Sequence, residues 1–269
     1  MMCPLAILLF LVIIDSEKIM STSSKESEEV NNEVLEADLE GEQGSLEDVE
    51  EEQGNNGSEE VEESTGAEEE GKVVYLTFDD GPTPATGKLL TLLNDYEMKG
   101  TFFTLAPNVN QYPDTTKRIV DEGHAIGLHG ETHQLENFYG TAQSPVNEMV
   151  ENQQAVATAT GVKTHLIRTP YGSHPHLTHE QYKILQEHGF KLWDWQVDSN
   201  DWKLRDQRLV STTIEQLEKR AHESSHVLLF HDSEITVTHI EELLVYLRDN
   251  GYETRILTEE MAPFHFVHY

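Results

Sequence analysis

The chain has 269 residues, a formal net charge of −32, 37% hydrophobic residues and one cysteine. That balance excludes a nucleic-acid partner, because no basic patch is available to neutralise phosphates, and a single cysteine excludes a disulfide framework. The charge is unevenly placed: residues 26–70 hold twenty Asp or Glu and no Lys or Arg, which leaves −12 on residues 71–269.

In chain order, Met1 to Ile14 is an apolar run containing Leu8-Leu9-Phe10-Leu11-Val12-Ile13-Ile14. It is shorter than the roughly 20 residues a spanning helix needs. Its length suits a signal-peptide core, although no Lys or Arg precedes it. Residues 1–25 are therefore read as an export signal or membrane anchor. The only cysteine, Cys3, lies inside this run, so the remainder of the chain has no thiol chemistry. Residues 26–71, rich in Glu, Gly, Asn and Ser, are read as a disordered acidic linker. Such a segment cannot bury enough apolar surface to offset the entropy of ordering it.

From Lys72 to Tyr269 the pattern changes to one folded domain of about 200 residues, a length sufficient to bury a core. Apolar runs predict strands at Val73–Phe78, Thr101–Leu105, Ala125–Leu128, His165–Arg168, Lys191–Trp195, Val227–Phe230 and Glu253–Ile256. Helical patterns lie between them at Pro84–Glu97, Pro113–Asp121, Ser144–Thr160, Thr178–His188, Arg205–His222 and Thr236–Asn250. Glycines at 100, 123, 161, 189 and 251 stand where helices end. Strand–helix alternation implies a parallel sheet with helices outside it. Seven to eight such units suit an α/β fold of the distorted or incomplete (β/α) barrel type, and no Gly-rich phosphate loop follows the first strand. In a barrel, the chemistry belongs at the C-terminal strand ends.

The first strand ends in Asp79-Asp80-Gly81-Pro82. An extended Asp pair points to opposite faces, and two like charges raise one pKa unless something positive intervenes. The Gly-Pro turn is expected to let both carboxylates converge. The third strand runs into His129-Gly130-Glu131-Thr132-His133, two histidines four apart, a spacing at which both imidazoles can reach one metal. Arg168 ends the fourth strand and leads into Thr169-Pro170-Tyr171-Gly172. Asp198 and Trp202 follow the fifth, and Leu229 and His231 end the sixth. Of the other histidines, His174 is a candidate for the substrate groove.

These motifs, in this order over Lys72 to about Leu257, resemble the polysaccharide deacetylases of carbohydrate esterase family four, the NodB homology domain. The resemblance implies a metal-dependent enzyme that removes acetyl groups from glycans. Asp79 then corresponds to the catalytic base, and Asp80, His129 and His133 to the ligands of a zinc-type ion (cobalt or nickel being possible). Arg168 corresponds to the arginine that holds the base, and Tyr171 to the residue whose backbone N–H binds the oxyanion. Asp198 corresponds to the aspartate that tunes the acid histidine, Trp202 to the groove wall, Leu229 to the acetyl-methyl pocket, and His231 to the general acid.

Gly130, Gln134 and Thr169 depart from the pattern, and Gly130 removes a side chain that would orient a ligand. None of these departures removes a ligand or a proton-transfer group. The expected activity is N-deacetylation of N-acetylglucosamine units, in peptidoglycan above other glycans, by an exported and monomeric protein that meets a membrane only through its N-terminal segment. Chitooligosaccharide or O-acetyl-xylan deacetylation is the alternative within the class. A non-catalytic glycan-binding domain and a hydrolase of a different C–N bond on a small molecule are the alternatives outside it.

Overall fold

The computed structural model describes residues 72–267, and the segments read as export signal and acidic linker lie outside them. Strand β1 (Val73–Gly81) is followed by α1 (Thr86–Asp95), β2 (Gly100–Thr104), α2 (Ala106–Gln111), α3 (Pro113–Asp121), β3 (Ala125–Leu128) and α4 (Leu135–Phe138). Then come α5 (Ser144–Thr160), β4 (Leu166–Ile167), α6 (His179–Glu187), β5 (Lys191–Leu192), β6 (Val197–Asp198) and α7 (Asp201–Leu204). The described chain closes with α8 (Arg208–Lys219), β7 (Ser225–His231), α9 (Glu234–Asp249) and β8 (Glu253–Thr254).

The strands form one parallel sheet in the order β5-β4-β3-β2-β1-β7-β6, with β8 beside the first residues of β1. The sheet curls with helices outside it, the distorted, incomplete barrel expected from the alternation. Edge strands β5 and β6 do not pair. The chain crosses between them in four residues, with the Trp193 N–H donating to Ile167 O (2.8 Å) on one edge and the Gln196 N–H to Val227 O (3.0 Å) on the other.

Side chains alternate along a strand, and β1 uses this to build two cores. Val74, Leu76 and Phe78 join the large cluster under the helices, while Val73 and Tyr75 join a smaller one with Phe103, Leu166, Trp193, Val227 and Leu257. The Phe78 ring stacks on Phe102 at 5.0 Å. Burying a side chain of this size is worth about 1.5–3 kcal/mol. On the opposite parity, Tyr75, Thr77 and Asp79 climb one face toward the strand end. In β7, Val227, Leu229 and His231 do the same.

Four of the five glycines proposed as helix ends adopt positive φ; Gly100 does not. The left-handed turn after α1 falls at Glu97 (φ 55). Gly100 instead opens β2 under the Phe78 ring, where a Cβ would approach Cε2 to 2.8 Å. Helix α6 begins with Thr178 and Gln181 in a reciprocal capping box. Helix α9 begins with Ser233 accepting the Thr236 N–H at 3.2 Å, immediately after the His231-Asp232 strand end.

Candidate active site

The pair at the end of β1 converges through a β-bulge. The register with β2 slips between Asp79 and Gly81, and Asp80 takes a left-handed φ of 69°. Asp tolerates that conformation better than most residues, and the extra residue re-aims its side chain onto the face that Asp79 already occupies. Convergence therefore comes from Asp80 itself rather than from the Gly-Pro turn alone. Asn108 Nδ2 fixes the bulge by donating to Asp80 O at 2.7 Å.

Asp80 Oδ1 lies 3.5 Å from His129 Nε2 and 3.4 Å from His133 Nε2. The Nδ1 of His129 donates to the Arg168 carbonyl at 2.7 Å, so its Nε2 carries the lone pair. Burial pulls His129 down to about 3 against the opposing charge of Asp80, which keeps the ring neutral. His133 sits at φ 51, its ring packed on Tyr171 at 4.7 Å. Asp80 Oδ1 is buried with no hydrogen-bond partner among the described residues, a costly state for a lone carboxylate oxygen.

These residues fit a divalent cation. The three ligand atoms lie within 4.8 Å of one another. Tetrahedral zinc with bonds of about 2.0–2.1 Å sets ligand atoms roughly 3.4 Å apart, close to the two distances from Asp80. Two imidazoles and one carboxylate form the three-ligand set that leaves a coordination position open.

Asp79 is buried beside this triad. Arg168, fully buried, donates through Nη1 to Asp79 Oδ1 (2.9 Å) and to Thr77 Oγ1 (2.7 Å). Its Nε and Nη2 donate to Trp193 O (3.2 Å) and Asp194 O (3.1 Å), and its guanidinium lies 4.3 Å from the Phe103 ring centre. Asp79 is nonetheless raised above the ordinary carboxylate value. Burial dominates, and Arg168, His231 and His133 offset it only in part.

His231 corrects one sequence assignment. Its Nδ1 pairs with Asp201 Oδ1 at 2.7 Å, and its backbone N–H donates to Asp201 Oδ2 at 2.7 Å. Thr236 Oγ1 donates to the same Oδ2 at 2.6 Å. Burial alone would lower His231, but the Asp201 bond and charge, with Asp79 and Asp80 adding, push it up to about 9. Asp198, expected to tune this histidine, instead accepts the Asn200 N–H at 2.7 Å and forms part of the cavity wall. Asn200 turns left-handed at φ 55, so that Asp201, the next residue and three beyond Asp198, starts α7 against the end of β7. Asp201 was legible only as the acidic neighbour of Trp202.

A cavity of about 370 Å³ joins these parts, lined by Asp79, Asp80, His129, His133, Tyr171, Gly172, Trp195, Asp198, Trp202, Leu229 and His231. Tyr171 and Trp202 are half exposed at its rim, at 52% and 54%. The Tyr171 N–H has no protein acceptor among the described residues. The Tyr139 hydroxyl brackets that loop from behind, 2.8 Å from Pro170 O and 3.0 Å from Gly172 O. Leu229 contributes an apolar wall. Trp193 is core, whereas Trp195 reaches the cavity. His174 is exposed and does not line it.

The chain belongs to the polysaccharide deacetylase family. The family's sequence model, described as polysaccharide deacetylase, matches residues 66–193. Over 197 residues the chain is 45% identical to the putative polysaccharide deacetylase YheN of Bacillus subtilis, covering 72% of this chain and 70% of that protein. Over 204 residues it is 38% identical to a peptidoglycan-N-acetylglucosamine deacetylase of Bacillus cereus, covering 74% of each. The crystal structure of the polysaccharide deacetylase Bc1974 from Bacillus cereus matches with a TM-score of 0.67 at 36% identity, covering 72% of this chain and 97% of that one.

Proposed function

We propose that this protein is an exported, metal-dependent hydrolase that removes the acetyl group from N-acetylglucosamine units of peptidoglycan and releases acetate. The observation that carries this reading is the pairing of two proton-transfer groups of opposite character around one cavity. Asp79 is a buried carboxylate held by Arg168, and His231 is an imidazole held protonated by Asp201. Amide hydrolysis needs a base to deprotonate the attacking water and an acid to protonate the departing amine.

Asp80, His129 and His133 would hold the cation, which when bound supplies Lewis-acid polarisation of the acetamide carbonyl and acidifies water. Asp79 accepts the proton of the water that attacks the carbonyl carbon. The Tyr171 N–H donates to the developing oxyanion, in most acyl transfers the largest stabilising effect. His231, protonated at neutral pH and tied through Nδ1, gives its Nε2 proton to the sugar nitrogen as the C–N bond breaks. Leu229 packs against the acetyl methyl, and the half-exposed Trp202 and Tyr171 meet the sugar rings. The similarity to a peptidoglycan-N-acetylglucosamine deacetylase supports the choice of polymer, and the apolar N-terminal run supports export.

The deciding experiment measures acetate release from peptidoglycan, chitooligosaccharides and acetylxylan, with and without a chelator. Release that is fastest from peptidoglycan, is abolished by chelation and is restored by zinc is expected. Rates unchanged by the chelator would overturn the metal dependence, and faster release from either other glycan would overturn the substrate.

A further inference from the structure

Glu148, on α5, lies outside the cavity and outside the cation triad, yet it is buried at 7% exposure. Its carboxylate accepts three hydrogen bonds, all from the loop between the two histidines. Oε2 accepts the Glu131 N–H at 2.9 Å and the Thr132 N–H at 3.0 Å, and Oε1 accepts the Thr132 hydroxyl at 2.7 Å. Room for this grip exists because position 130 is glycine. Gly130 has φ +97, and a Cβ there would lie 3.0 Å from Glu148 Oε2 and 3.0 Å from the Phe138 ring. One turn along α5, the Asn152 side-chain amide donates to Thr104 O, the same carbonyl that receives the His129 N–H at 2.7 Å. Helix α5 therefore holds both the loop that follows His129 and the β2 carbonyl to which the His129 N–H is bonded.

We propose that Glu148 is a positioning residue for the cation site. It fixes residues 130–132 so that His133 turns left-handed and its Nε2 meets Asp80 Oδ1 beside His129. The inference rests on the metal reading of the triad. A buried carboxylate that satisfies two backbone N–H groups and one hydroxyl leaves the loop little freedom, and groups that orient ligands typically change metal affinity 10–100-fold when lost.

The test is zinc affinity, measured by competition with a chromophoric chelator on the full chain, for wild type, H133A, E148Q and E148D. Melting of the metal-free proteins is recorded alongside. Gln keeps the reach: its amide oxygen accepts the two N–H groups and its NH2 donates to the Thr132 oxygen, so E148Q is expected to bind zinc close to wild type. Asp withdraws the carboxylate by one methylene, about 1.5 Å, and E148D is expected to bind 10–100-fold more weakly. Wild-type affinity in E148D would overturn the proposal. So would an equal loss in E148Q and E148D, which would assign the effect to charge instead of to these bonds. If H133A binds as tightly as wild type, or wild type binds no zinc, the triad reading has failed and the proposal falls with it. Where wild type binds zinc and H133A does not, the triad stands, and the two Glu148 variants then decide the positioning role by themselves.

Discussion

Replacing Asp201 with Asn tests which aspartate governs the acid. His231 stands at about 9 because the Asp201 bond and charge overcome a burial effect that on its own would lower it. Without the carboxylate, the imidazole is expected at or below its ordinary value of about 6.5. At pH 8 the protonated fraction then falls from about 0.9 to about 0.03, a ~30-fold loss of acid, whereas at pH 6 the fractions differ less than about twofold. An NMR titration of the imidazole in the metal-free protein reads the pKa directly, and the pH profile of kcat/KM reads its consequence. Linkage supplies an independent check. A histidine raised on folding contributes stability that is fully present below its unfolded pKa and lost as pH rises through the folded one. Wild-type metal-free protein should therefore lose about 3 kcal/mol between pH 6.5 and somewhat above 9, and Asp201→Asn should show no such slope. Asp198→Asn is the control, and its histidine should still titrate near 9. An Asp201→Asn variant whose His231 still titrates near 9, or an Asp198→Asn variant whose His231 drops to the ordinary value, would refute the reasoning.

Asp79→Asn should abolish acetate release while zinc affinity stays near wild type, because Asp80 and the two histidines are untouched; measurable turnover at the wild-type rate would remove Asp79 as the base. Arg168→Ala leaves the buried Asp79 carboxylate and two carbonyls without their donor, and should cost about 3–5 kcal/mol in urea denaturation; a loss under about 1 kcal/mol would contradict the buried network. Trp202→Ala should raise KM on glycan oligomers while stability stays within about 0.5 kcal/mol, as expected for an exposed side chain; an unchanged KM would take Trp202 out of the groove.

The barrel was legible because its signals are local and long. The sequence bounds of α3 and α5 coincide with the observed ones, since each has proline in its first turn and a left-handed glycine at its end. Helices α2, α4 and α7, of four to six residues, are too short to show periodicity. Strand β6 is two residues in a stretch read as loop, and its pairing depends on β7, which lies far away in sequence. The cation triad was legible because its three side chains lie on two strand ends. The partner of His231 was not: Asp198 and Asp201 both precede Trp202, and the choice between them depends on the backbone turn at Asn200. The Asp79–Asp80 convergence was legible as an outcome, whereas its cause, a bulge at Asp80, appears only in the pairing with β2. Gly130 read as a missing contact, and α5 supplies other contacts to that loop across seventeen residues of sequence.

Arg168 grips the carbonyls of Trp193 and Asp194, in the four residues that join the two unpaired edges of the sheet, with the same guanidinium that holds Asp79. One side chain thus serves both as a rivet for the wall and as the clamp on the proposed base. Loss of activity through drift can pass through Asp79, Asp80 or His231, none of which closes the wall, but hardly through Arg168. A descendant that had abandoned the chemistry would still be expected to keep this arginine, so its presence in a relative is evidence of the fold and not of turnover.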